Sequence, residues 1–130
     1  MKLASAIVAF GIFITASTVE AGVDGGIEVT VSVRPDGSGQ AGGSLGTVRN
    51  SADQTQFIQC GVNVTGSSIY GFCQASDANG TVVLCSTTKR NLVDAMEGVS
   101  GDSHVFFEFD SSGKCTRLFV NHGSYLEPKR

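Results

Sequence analysis

The placement of four cysteines constrains this chain more than any other feature. Cys60, Cys73 and Cys85 follow one another at intervals of 13 and 12 residues by subtraction, and Cys115 comes 30 residues later. Turn signals fall between the first three. Asp77-Ala78-Asn79-Gly80-Thr81 has the form of a three-residue hairpin loop, a type I turn closed by a glycine with positive φ. Closing that loop at Asp77 and Thr81 sets Cys73 opposite Cys85. A two-residue turn at Gly66-Ser67 likewise sets Cys60 opposite Cys73. The three cysteines then form one row across a three-stranded meander. Cys60 and Cys85 would be separated by a whole strand, roughly 9–10 Å, beyond disulfide reach. Two pairings remain: Cys73–Cys85 with Cys60–Cys115, the slightly preferred one, or Cys60–Cys73 with Cys85–Cys115. The intervals lack the close C-x2-C pairs of a zinc site, and paired cysteines leave no thiolate for nucleophilic catalysis.

Alternation supplies the strands that these turns connect. In residues 27–33, Ile27, Val29, Val31 and Val33 share one side and Glu28, Thr30 and Ser32 the other, the period of a strand with one buried face. The same period runs through Ile58, Cys60, Val62 and Val64, and through Ile69, Gly71, Cys73 and Ala75. Further strands are expected near residues 81–87, 105–109 and 115–121. Asp110-Ser-Ser-Gly113-Lys114 repeats the Asp-x-x-Gly turn and predicts Phe107 opposite Arg117 and Val105 opposite Phe119. One helix is expected within residues 88–98, capped by Thr88 or Asn91 and stopped at Gly98, with Leu92, Val93 and Met96 as its core face. The fold class is therefore mainly β: a small antiparallel β-sandwich or open barrel with one short helix, stapled by two disulfides. An antiparallel sheet with the helix over one face is the close alternative.

Residues 1–21 read as a signal peptide, with Lys2 before an apolar run and small residues at Val19 and Ala21 for cleavage. Residues 22–130 form a single secreted β-rich domain, placed outside the cytoplasm or in a periplasm. An even number of cysteines in a small exported chain agrees with that compartment. The apolar run is too short to remain as a membrane anchor, so no stable insertion is expected after cleavage. With 16% charged residues and a net charge of −3, the chain has no basic surface of the kind nucleic acid requires. Its 41% hydrophobic content argues against disorder.

The motifs that suggest chemistry are weak. Gly37-Ser-Gly39-Gln40-Ala-Gly42 matches G-x-G-x-x-G, yet no lysine accompanies it and Gly43-Ser-Leu-Gly46 is a poor helix opening, so no dinucleotide cofactor is expected. Gly37, Gly39, Gln40, Gly42 and Gly43 read instead as a mobile candidate binding loop. His104 and His122 are the only histidines; neither belongs to a G-x-S-x-G elbow or a zinc-binding pair. Glu108 and Asp110 read as solvated strand-face acids, not a glycosidase pair. Turn formation accounts for Asp77, Asn79, Asp102 and Asp110 more economically than calcium does. Asn63 and Asn79 fit the glycosylation sequon. Phe106, with Leu118 beside it, is a candidate surface contact unless the helix covers it.

The expectation is a secreted non-enzymatic domain, without cofactor or metal, that binds or inhibits a protein or glycan partner outside the cytoplasm. Self-association is compatible with it. The first alternative is a structural subunit of a filament or matrix, assembled by strand addition through residues 27–33. The second is a small secreted hydrolase using His104 or His122.

Overall fold

The computed structural model describes residues 25–128; the expected signal peptide lies outside the described residues. Two antiparallel sheets make up most of the fold. The first contains β1 (Thr30–Val33), β2 (Gly39–Ser44), β6 (His104–Phe109) and β7 (Cys115–Asn121), hydrogen-bonded in that order. The second is the predicted meander of β3 (Phe57–Thr65), β4 (Ser68–Ser76) and β5 (Val82–Thr87). Two short helices complete the chain, α1 (Leu45–Asn50) and α2 (Arg90–Glu97). The inner faces of the sheets meet in a sandwich-like core that includes Ala41, Val105, Phe107 and Phe109 from the first sheet and Ile58, Cys73, Ala75 and Val83 from the second.

Local turn chemistry places the hairpins where the spacing predicts them. Gly80 and Gly113 adopt φ of +81° and +77°. Asp77 N donates to Thr81 O and Asp110 N to Lys114 O, closing both loops. Each aspartate side chain also accepts from the turn: Asp77 Oδ1 from the amides of Asn79 and Thr81, Asp110 Oδ1 from those of Ser112 and Lys114. Cys60 lies opposite Cys73, and Cys73 opposite Cys85. The bonds formed are Cys60–Cys73 and Cys85–Cys115, so the slightly preferred pairing is corrected to its alternative. Ladder geometry explains the choice. Closure at Asp77 and Thr81 makes Cys73/Cys85 one of the wide hydrogen-bonded pairs, whereas Cys60 and Cys73 stand 4.1 Å apart at Cα, as narrow pairs do. Cys85 instead meets Cys115 because Ser86 N donates to Gly113 O, drawing the β6–β7 turn against β5 and bonding the two sheets together.

Three further expectations change. The glycine-rich stretch is not a loop: β2 is the inner neighbour of both β1 and β6, and α1 follows it directly, against the expectation that Gly43–Gly46 is a poor helix opening. Glycine is required there by close packing. A Cβ on Gly39 would stand 2.3 Å from Ser32 O, and one on Gly46 would stand 2.2 Å from Glu127 O. Only Gly37 lies in a turn, with φ +88°, in a hairpin where Arg34 N donates to Ser38 O.

The β6–β7 register is the second change. Phe109 faces Cys115, but Glu108 faces Arg117, so Thr116 is an extra residue and the ladder bulges there. Phe107 consequently faces Leu118, and Val105 faces Val120. The third change concerns α2, which begins after Lys89 with no side-chain cap; Thr87 Oγ1 accepts from the Lys89 amide just before it. Its Leu92, Val93 and Met96 are buried as expected, and the helix packs against β3, β4 and β7. Gly71 on β4 leaves the space that Met96 Sδ occupies.

Candidate functional site

The polar clusters can be built from the two histidines. Ser44, at the end of β2, is fully buried; its Oγ accepts from the Ile27 amide and lies 3.1 Å from His104 Nδ1. Burial of the His104 ring pushes its pKa below the ordinary value. This arrangement clamps the segment before β1 onto β6.

His122 takes part in a second cluster at the same end of β6 and β7, where His104 pairs with Asn121. Its Nδ1 lies 3.1 Å from Ser103 Oγ, Ser103 Oγ lies 3.0 Å from Ser100 Oγ, and Ser100 Oγ donates to Asp102 Oδ1 at 2.9 Å. Ser103 is fully buried and also accepts from the Ser100 amide. The order is imidazole, hydroxyl, hydroxyl, carboxylate. A hydrolytic triad instead has the imidazole between hydroxyl and carboxylate, so that the carboxylate orients the base. Beside this cluster, Asp102, His122, Gly123 and Ser124 line a shallow cavity of about 320 Å³. Among the described residues no group of three or more His, Cys, Asp or Glu side chains is placed to hold a metal ion.

The remaining sequence candidates do not come together. Gly39, Gln40, Gly42 and Gly43 are strand residues of the first sheet, and Gly37 sits apart in the β1–β2 turn, so they form no binding loop. Phe106 and Leu118 lie on opposite faces. The bulge turns Leu118 toward the core, where it packs with the buried cluster. Phe106 faces Phe119 on the outer side, its ring 5.9 Å from the Arg117 guanidinium carbon. His104 packs edge-on against Phe119 at 6.5 Å.

The outer face of β3, β4 and β5 is a surface that none of those motifs pointed to. Phe57, Tyr70, Val82 and Leu84 are 37, 43, 54 and 55% exposed there. Phe72 lies half-buried among them, its ring over Gly61, where a Cβ would come within 2.9 Å. Gln59 Nε2 donates to Gln74 Oε1 at 3.0 Å across the middle of the face. None of the side chains that β3, β4 and β5 turn outward is charged. One sequence signal does mark this surface: residues 54–88 contain a single charged residue, Asp77, and it lies in a turn.

Both disulfides suit an oxidising compartment outside the cytoplasm, and among the described residues no helix is long and apolar enough to cross a membrane. Comparison of the chain with protein-family models, curated proteins and solved structures finds no match.

Proposed function

We propose that this chain is a secreted or periplasmic, non-enzymatic β-domain that binds a partner outside the cytoplasm through the outer face of β3, β4 and β5. A signal peptide at residues 1–21 would deliver it there. One observation carries the reading: four large apolar side chains stand exposed together on a face without charge. Interface cores have this composition, enriched in aromatic side chains and depleted of charged ones. The disulfides reach all three strands of the face, Cys60–Cys73 joining β3 to β4 within the sheet and Cys85–Cys115 holding β5 from below, so the surface is preorganised and loses little freedom on binding.

The test is site-specific photo-crosslinking in the native extracellular fluid, with a photoreactive phenylalanine replacing Tyr70 or, as a control, the exposed Glu97 of α2. Adducts are expected at position 70 and absent at 97. Equal labelling at both positions, or none at 70, would overturn the reading.

A further inference from the structure

We propose that the outer face of β3, β4 and β5 takes a neutral polysaccharide, laid along the strands with its sugar rings stacked on Phe57, Phe72 and Tyr70. The proposal rests on the reading of this face as a binding surface and names the chemistry of its occupant. Outward side chains stand in rows two residues apart along a strand, about 6.8 Å. Phe57 opens the first row; Gln59 and Gln74 face one another in the second, Gly61 and Phe72 in the third, Asn63 and Tyr70 in the fourth. The tip of the Phe72 ring would come 2.9 Å from a Cβ on Gly61, so the ring leans from β4 across to β3 and lies along the sheet. It is half-buried, with one side packed and the other open. That places it in line with Phe57, two rows or about 14 Å away, with the amides between them.

The chemistry of this track selects carbohydrate. An aromatic ring carries negative charge on its face and attracts the weakly positive C–H groups along one side of a sugar ring. The polar groups between the rings are neutral and incompletely used. Gln59 Nε2 donates to Gln74 Oε1, which leaves Gln59 Oε1 to accept and Gln74 Nε2 to donate. Thr65 Oγ1 donates to Asn63 Oδ1, which leaves Asn63 Nδ2 to donate. Neighbouring hydroxyls on one sugar donate and accept together and match that set. Charge agrees. None of the side chains turned outward is charged and the chain carries −3 overall, so the face offers an acidic polymer no counter-charge.

The amides also argue against an apolar protein ridge. They lie between the Phe57 and Phe72 rows, in the middle of the face and not at its rim. A hydrophobic side chain laid there would remove their water without replacing its hydrogen bonds, which costs more than a formed bond contributes. A sugar replaces them.

Photo-crosslinking of the intact oxidised chain at position 70 in its native extracellular fluid, followed by acid hydrolysis and sugar analysis of the adduct, identifies the occupant. The photoreactive phenylalanine keeps the ring at that position. The adduct should release neutral sugars and contain no polypeptide besides this chain. An adduct that holds a second polypeptide, or that releases mainly acidic sugars, would overturn this inference and leave the binding face standing; no adduct at position 70 would overturn both. Gln59→Leu combined with Gln74→Leu tests the role of the amides. Replacing both partners of a hydrogen bond by apolar groups of similar shape is nearly neutral for folding, so the change acts on the ligand. Carbohydrate labelling at position 70 should fall at least about tenfold, the loss of roughly two hydrogen bonds. Labelling that is unchanged or increased is what an apolar contact gives, and it would refute the assignment.

Discussion

Replacing Gly39 with alanine tests whether the glycine-rich stretch is packed strand. The new Cβ would stand 2.3 Å from Ser32 O, 2.8 Å from Phe109 Cζ and 3.1 Å from Val33 Cα. Two of those neighbours are backbone atoms of β1, and the β1–β2 turn is fastened by Arg34 N to Ser38 O and Gly37 N to Arg34 O. The strands therefore cannot separate without losing hydrogen bonds. Overpacking of a core by one methyl costs typically 1–3 kcal/mol, and about 1 kcal/mol is added for a disturbed ladder bond. Alanine recovers about 0.4–1 kcal/mol by restricting the unfolded chain. The net expectation is a loss of about 2 kcal/mol, which lowers the melting temperature of a domain this size by roughly 8–16 °C. Gly98→Ala is the control. Gly98 has φ −80° and ψ −6° at the end of α2, and its Cβ would meet only Ala95 O at 3.4 Å. It should be neutral or stabilising by up to about 1 kcal/mol. Thermal unfolding followed by circular dichroism reads both. If Gly39→Ala melts within about 2 °C of the parent, the stretch yields as a loop would and the packing argument is wrong.

Phe107 is fully buried at the centre of the core, and Phe107→Ala should cost about 3–5 kcal/mol in urea unfolding; a loss below about 1 kcal/mol would place the core elsewhere. Loop-entropy estimates assign about 3.6 kcal/mol to Cys85–Cys115 and about 2.9 kcal/mol to Cys60–Cys73, from separations of 30 and 13 residues. Alanine at Cys85 and Cys115 should therefore lower the urea midpoint more than alanine at Cys60 and Cys73, the more so because the first pair is fully buried; the reverse order would contradict this. Burial holds the folded His104 pKa below its unfolded value of about 6.5, so the unfolded chain takes up a proton that the folded chain resists. Stability present at neutral pH should fall as pH drops through about 6.5, and His104→Gln should flatten that slope; an unchanged slope would count against the burial argument. Asp110 is held below the usual carboxylate range first by the Lys114 amide, against an opposing effect of desolvation, with the Ser112 hydrogen bonds adding to the lowering. Its contribution should persist down to that range and disappear only in stronger acid, a loss that Asp110→Asn should remove from an acid titration of unfolding.

Features governed by short-range geometry are legible in the order of the residues. Alternation along β3, β4 and β5 and the Asp-x-x-Gly loops at Gly80 and Gly113 set the meander and its row of cysteines, because a hairpin's register follows from its turn. The apolar spacing of Leu92, Val93 and Met96 likewise marked the buried side of α2. Tertiary packing decided the rest. Cys115 found Cys85 only because the β6–β7 turn docks on β5, a contact between residues distant in the chain. Thr116 bulged and sent Leu118 to the core, where a one-residue shift exchanges every side chain beyond it between faces. The glycines of β2 resembled a loop because glycine's backbone freedom and its lack of a side chain look the same in a sequence. The backbone of β1 and the ring of Phe109, brought within a methyl's reach of Gly39, settle which of the two is being used.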